Sequence, residues 1–257
     1  MNLLQHFRYE EKETVKEMMQ FCERADNSYA PVLTHFLNPR EQYILTVTAK
    51  QFAGLEVHVF GGDDKAERSR AIVCPDYFKP TTEDYQMSLL EVDYPDKFVT
   101  LTHRNLLGSI MQTGIKREQL GDIRIGNKIQ FVLTKPLESF MILELTRIKK
   151  ATVSLIAVPF KEFIQSKEDY VQLQTTVSSL RLDNIIQQVT NRSRTTAQKL
   201  IDSEHVKVNH TIITKTSFPV EEQDLLSIKG YGRAKIIHVG DRTKKDKIRV
   251  TIETLFN

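Results

Sequence analysis

The chain is poor in cysteine, has no long apolar run and lacks a glycine-rich phosphate loop. Each absence removes a class of function. Two cysteines in 257 residues, Cys22 and Cys74, lie far apart without metal-ligand spacing. They read as two free thiols in a reducing cytosol. No apolar stretch approaches the roughly 20 residues that span a bilayer. Met1 to Lys16 alternates charged with apolar residues and lacks a signal-peptide core. Gly61-Gly62 lacks the further glycines that a methyl-transfer cofactor loop needs, and the seven histidines are scattered without defining a triad. No internal repeat or low-complexity tail is visible. What remains is a cytoplasmic globular chain, 40% hydrophobic and 27% charged, long enough for more than one domain. Neither a metal nor a cofactor is expected, and nothing demands a dimer, so a monomer is expected.

What is present is uneven charge. Residues 181–257 carry 14 Lys and Arg against 9 Asp and Glu, whereas residues 1–180 carry 22 against 24. The basic C-terminal end points to an anionic partner.

The pattern of elements predicts an α+β, multidomain chain. Residues 1–78 read as a small α/β domain. A helix is expected over about 3–26, then a second helix capped by Asn38 with Pro39 in its first turn. Strands follow at Leu55 to Phe60 and Ala71 to Cys74, around a turn at Gly61-Gly62-Asp63-Asp64. Residues 79–177 alternate strands (Met87 to Val92, Ile129 to Leu133, Thr152 to Ile156) with helices (Leu101 to Met111, Leu137 to Leu145). Gly121-Asp122-Ile123 reads as a turn. This order predicts a ferredoxin-like sandwich. Residues 178–257 open with two helices, whose buried stripes are Leu182, Ile185, Ile186, Val189 and then Ala197, Leu200, Ile201. Short strands follow: Val206 to Asn209, Ile212 to Phe218, Leu225 to Ile228 and Ala234 to Val239.

The third domain carries the candidate site. Ser193 is a good N-cap, which places Arg192 and Arg194 at a helix N-terminus. Cations there oppose the helix dipole by about 0.3–1 kcal/mol each, yet backbone N–H groups and guanidinium forks together suit a phosphate. Gln198 and Lys199 lie one turn on. Lys207 and Asn209 alternate with two valines and so share the strand's outward face. Lys229-Gly230-Tyr231-Gly232-Arg233 reads as a basic glycine hairpin with a tyrosine able to stack on a base. Lys244, Lys245, Lys247 and Arg249 extend the basic surface. A second candidate contact lies in the middle domain: His103 and Arg104 before a helix, Lys116 and Arg117 after it, and Arg124 beyond a turn.

Arg181-Leu182-Asp183, Ser193-Arg194, Ala197, Leu200-Ile201 and Val206-Lys207-Val208-Asn209 resemble the S4 RNA-binding domain. The whole chain resembles the bacterial YlmH family. That likeness rests on Gln5-His6-Phe7-Arg8, Phe36-Leu37 with Pro39-Arg40-Glu41, Phe60-Gly61-Gly62 with Glu67-Arg68, His103 through Ser109, Gly114 through Arg117, and Gly121-Asp122-Ile123. It implies an N-terminal α/β region, a central RNA-binding-type domain and the S4 module, with Arg181 joining the RNA-binding set. It further implies a non-catalytic protein that binds ribosomal RNA, and tRNA with it, on the large ribosomal subunit during rescue of stalled ribosomes. The family name is tied to cell-division gene neighbourhoods. The S4 pattern carries glycine where this chain has Glu204 and His210. Positive φ at a non-glycine residue costs roughly 1 kcal/mol, so differently shaped turns are expected there.

Two other functions fit parts of the sequence. Pseudouridine synthases use an aspartate in a Gly-Arg-Leu-Asp context, and Arg181-Leu182-Asp183 is superficially similar. Its flanks differ, and Asp183 is more simply an early-helix acid favoured by the dipole. A scaffold for division proteins has no residue-level support beyond the unexplained first domain.

Overall fold

A computed structural model of the chain describes residues 7–165 and 170–256. The fold comprises two compact units, Met1–Lys167 and Glu168–Asn257.

The first unit begins with helix α1 (Lys12–Ser28), whose buried stripe is Val15, Met18, Cys22 and Ala25 at three- and four-residue intervals. Strand β1 (Val32–Leu37) and helix α2 (Pro39–Ala49) follow. Asn38 Oδ1 accepts from the N–H groups of Arg40 and Glu41 at 2.9 and 3.0 Å, and the Glu41 carboxylate accepts from Asn38 N–H at 2.7 Å. This is the cap its position predicts, closed into a reciprocal box. Strands β2 (Leu55–Phe60) and β3 (Ser69–Pro75) complete an antiparallel sheet in the order β1-β3-β2. β1 occupies a stretch where the sequence predicts no element. Thr34 interrupts its apolar run but is buried, its hydroxyl accepting from Ala71 N–H at 2.9 Å. The expected start of the first helix near residue 3, and Gln5-His6 of the family motif, lie outside the described residues.

The unit continues through β4 (Met87–Asp93), α3 (His103–Gln112), β5 (Leu120–Ile125), β6 (Ile129–Thr134) and α4 (Glu138–Glu144). A small hairpin, β7 (Arg147–Ile148) with β8 (Ala151–Thr152), precedes β9 (Ser154–Val158). The sheet order is β9-β4-β6-β5 with every neighbour antiparallel. That is the ferredoxin-like split βαβ arrangement expected from the sequence. β5 corrects the turn read at Gly121-Asp122-Ile123. Glycine serves close packing there, since a Cβ at Gly121 would lie 2.8 Å from the Phe36 ring. Asp122 in turn accepts from the backbone N–H groups of Glu67 and Arg68 at 2.8 and 2.9 Å. Turn-type residues thus sit in a strand because a neighbouring segment requires them.

The second unit opens with β10 (Val171–Val177) and the helices α5 (Leu182–Thr190) and α6 (Arg194–Asp202). β11 (Val206–Val208), β12 (Thr211–Ile212), β13 (Leu225–Ile228), β14 (Gly232–Arg242) and β15 (Ile248–Phe256) follow. They form one sheet, β10-β15-β14-β13-β11-β12. The helices bury Leu182, Ile185, Ala197 and Ile201 with Val206, Leu226, Ile236 and Ile252 in a single core, so α5 and α6 cover one face of the sheet. The strand expected over Ile212 to Phe218 ends at Ile212. The next residues instead dock on the start of α5, where Thr216 and Phe218 carbonyls accept from Asp183 and Leu182 N–H. β10, read from sequence as the end of the middle domain, pairs along its length with β15. Glu204 and His210 take φ of 60° and 70°. The turns therefore keep the left-handed conformation that glycine would favour, contrary to the expectation of a changed shape.

Candidate nucleic-acid interface

Asp183 is fully buried in the first turn of α5 and organises the basic site. Its carboxylate accepts from Arg181 Nε and Nη2, both at 3.0 Å, and from Arg194 Nε and Nη2 at 3.1 and 3.0 Å. Gln198 Nε2 stands 3.5 Å from the same oxygen that Arg194 uses. Burial pushes the Asp183 pKa up, but hydrogen bonds from Arg181 and Arg194 and their charge outweigh it and set the pKa at about 2. The carboxylate is therefore ionised at neutral pH. The group of two guanidiniums and one carboxylate carries a net positive charge.

These guanidiniums remain available. Arg181 and Arg194 side chains are 37% and 54% exposed. Each has five N–H donors, of which Asp183 engages two. Their orientation is fixed while donors remain for an anion, which lowers the ordering cost of binding. Ser193 caps α6, its Oγ accepting from Thr196 N–H at 3.2 Å. The N–H groups of Arg194 and Thr195, ahead of the first helical hydrogen bond, complete an anion-binding end. Arg192 and Lys199 are exposed beside it, with no side-chain partner among the described residues.

The remaining predicted residues divide. Lys207 is exposed on β11, and Arg233 on β14 shares its face through Ser227 of β13. Because α5 and α6 cover the opposite face, these two stand apart from the arginine group. Asn209 is not an open amide on that face. Its Nδ2 donates to Asp224 at 2.7 Å and its Oδ1 accepts from Leu225 N–H at 2.9 Å, which fixes the turn after β11. Tyr231 is half-buried against the core, its ring 6.2 Å from that of Phe256, and is not a free stacking platform. Lys229 is exposed, its Nζ 3.4 Å from His205 Nε2.

In the first unit the second predicted contact loses two members. Arg124 is 5% exposed, forks onto Asp63 at 2.5 and 2.8 Å, donates to the Ile164 carbonyl and stacks 3.8 Å over the Phe163 ring. Arg117 is half-buried and donates to the Leu120 carbonyl at 2.6 Å. Both guanidiniums hold loops together. His103, Arg104 and Lys116 remain exposed. Among the described residues no cluster of His, Cys, Asp or Glu could hold a metal ion, and no helix is long and apolar enough to cross a membrane.

The functional residue that sequence reasoning missed is Asp183 as organiser. The signal was an acid beside the buried Leu182 at the start of an apolar stripe, where a helix-dipole role was a sufficient explanation.

Three family models match: "YlmH, N-terminal" over residues 10–78, "Putative RNA-binding domain in YlmH" over 80–162, and the S4 domain over 180–226. The chain is 37% identical over 253 residues to ribosome-associated protein quality control protein P2 of Bacillus subtilis (strain 168), covering 98% of both chains. A solved structure, cell division protein ylmH from Streptococcus pneumoniae, is similar with a TM-score of 0.56 at 34% identity. That match covers 62% of this chain and 98% of the other.

Proposed function

The chain belongs to the YlmH family, and from that premise we propose that it is a non-catalytic RNA-binding protein of the ribosome. Its targets are ribosomal RNA and the adjoining tRNA on the large subunit, during rescue of stalled ribosomes. It acts in the cytoplasm as a monomer. The name of the Bacillus subtilis relative supports the ribosomal setting, and the matched RNA-binding domains support the ligand class.

One observation carries the reading: a buried carboxylate that fixes two exposed guanidiniums beside a capped helix N-terminus. Affinity from such a site comes from phosphate neutralisation and falls steeply with salt. The same observation disfavours the pseudouridine-synthase reading, because a fully buried carboxylate engaged by two arginines is poorly placed to attack a base. A second reading, action beside cell-division proteins, rests on the name of the pneumococcal relative.

Filter binding to ribosomal RNA tests the proposal. A triple alanine variant of Arg192, Arg194 and Lys207 is expected to bind at least about tenfold more weakly than the wild type. Equal affinity would overturn it. Co-sedimentation with large subunits, set beside pull-down of division proteins, separates the two readings.

A further inference from the structure

The sheet of the second unit has an outer face whose members are fixed by strand register. Lys207, Ser227 and Arg233 stand opposite one another across β11, β13 and β14. Lys235 lies two residues further along β14, opposite Glu253 of β15. Thr251 and Arg249 continue along β15, opposite Gln174 and Thr176 of β10. These residues alternate along their strands with core residues such as Val206, Leu226, Ala234, Ile236, Val250 and Ile252. They therefore point away from α5 and α6. Register shifts in β14, between Ile236 and His238 and between Val239 and Arg242, bend the strand. At the bent end lies a concavity of about 440 Å³ whose polar lining includes Gln174, Thr176, His238, Asp241, Arg249 and Thr251.

The chemistry of this face is specific. Among the described residues, the side chains of Lys207, Lys235 and Arg249 have no hydrogen-bond or ion-pair partner. Hydroxyl and amide groups of Ser227, Thr251, Thr176 and Gln174 lie between them. No Phe or Tyr stands on these rows. Cations interleaved with small polar donors, with the His238 ring engaged by Glu222, suit the sugar-phosphate backbone rather than base edges. The acids nearby are Glu253, Asp241 at the concavity, and Glu222, which is engaged by His238 Nδ1 and by Val239 N–H. The four cations Lys207, Arg233, Lys235 and Arg249 outnumber them.

β10, β14 and β15 lie outside residues 180–226, which match the S4 domain. We propose that the outer face of β14, β15 and β10 is a second phosphate-binding surface, which follows the backbone of an RNA strand separately from the helix-pair site. The inference rests on the RNA-binding reading and adds a contact to it.

The test uses the full chain and protein-free large-subunit ribosomal RNA as probe, with affinity measured across a salt series. The K235Q/R249Q variant is expected to bind roughly tenfold more weakly at low salt and to lose about two from the slope of log K against log salt. The charge-conserving K235R/R249K pair is expected to keep wild-type behaviour, and all variants to keep the wild-type thermal midpoint. Wild-type affinity and slope in K235Q/R249Q, alongside a loss in an R192A/R194A variant, would overturn the sheet face alone. An equal loss in K235R/R249K would also overturn it. Failure of the wild-type chain to bind would overturn the RNA-binding reading and this surface with it.

Discussion

Asp183 and Arg194 are eleven residues apart on different helices, yet Arg194 Nε and Nη2 both donate to the single oxygen Oδ2 of Asp183, at 3.1 and 3.0 Å. The contact ties the start of α5 to the start of α6. It also converts an arginine that the α6 dipole disfavours into one held in place. The cation is stabilised by a buried carboxylate and still presents donors outward.

Asp183→Asn is therefore expected to weaken RNA binding about tenfold, although Asp183 itself is buried away from any ligand. An amide keeps the shape but loses the negative charge and replaces one accepting oxygen by an NH2 donor facing a guanidinium. Stability is expected to fall by about 1–3 kcal/mol. Filter binding and thermal unfolding of the same preparations check both outcomes.

The same carboxylate sets a pH dependence. Its folded pKa of about 2 lies below the ordinary value of 3.8. A depressed carboxylate contributes stability that is complete above the unfolded pKa and is lost as pH falls through the folded one. The contribution is on the order of 2 kcal/mol. Denaturant titrations between neutral pH and pH near 2 are expected to show that part of the acid loss missing in Asp183→Asn.

Glu204 and His210 hold left-handed backbone at φ 60° and 70°. Glu204→Gly relieves the Cβ penalty at the end of α6 and is expected to stabilise by about 0.5–1 kcal/mol, with RNA affinity unchanged. Chemical denaturation midpoints measure this. No gain, or a loss, would show that the glutamate side chain offsets its own strain.

Arg124→Ala is expected to destabilise the first unit by about 3–5 kcal/mol, because Asp63 loses its partner and Asp122 its nearest guanidinium. RNA affinity of the folded protein is expected to stay within about twofold of wild type. A thermal midpoint equal to wild type would show that the fork contributes nothing.

Cys22 and Cys74 are free and buried. Burial pushes the Cys22 thiol up to about 12 and the Cys74 thiol above its ordinary value. Native protein is expected to resist alkylation by iodoacetamide at mildly alkaline pH, and denatured protein to take up two equivalents. Fast labelling of the native chain would contradict the buried positions.

The sequence by itself determined the elements whose signals are local. Asn38-Pro39 announces α2, Ser193 announces α6, and the stripes at Val15 to Ala25 and Leu182 to Val189 announce their helices. Caps and periodic burial are properties of neighbouring residues, so one chain segment suffices to read them. The basic turn was legible for the same reason. Tertiary structure alone decided which basic residues remain available to a ligand. Arg124 and Arg194 look alike in the sequence, but Asp63, Ile164 and Phe163 bury one, while Asp183 orients the other and leaves it exposed. Asn209 and Tyr231 were taken by Asp224 and by the core, and the outer face of the sheet is completed only because β10 pairs with β15 across a long stretch of chain, beside the local β14–β15 hairpin. The availability of a charged group depends on what distant residues bring to it, and residue type and local spacing do not carry that information.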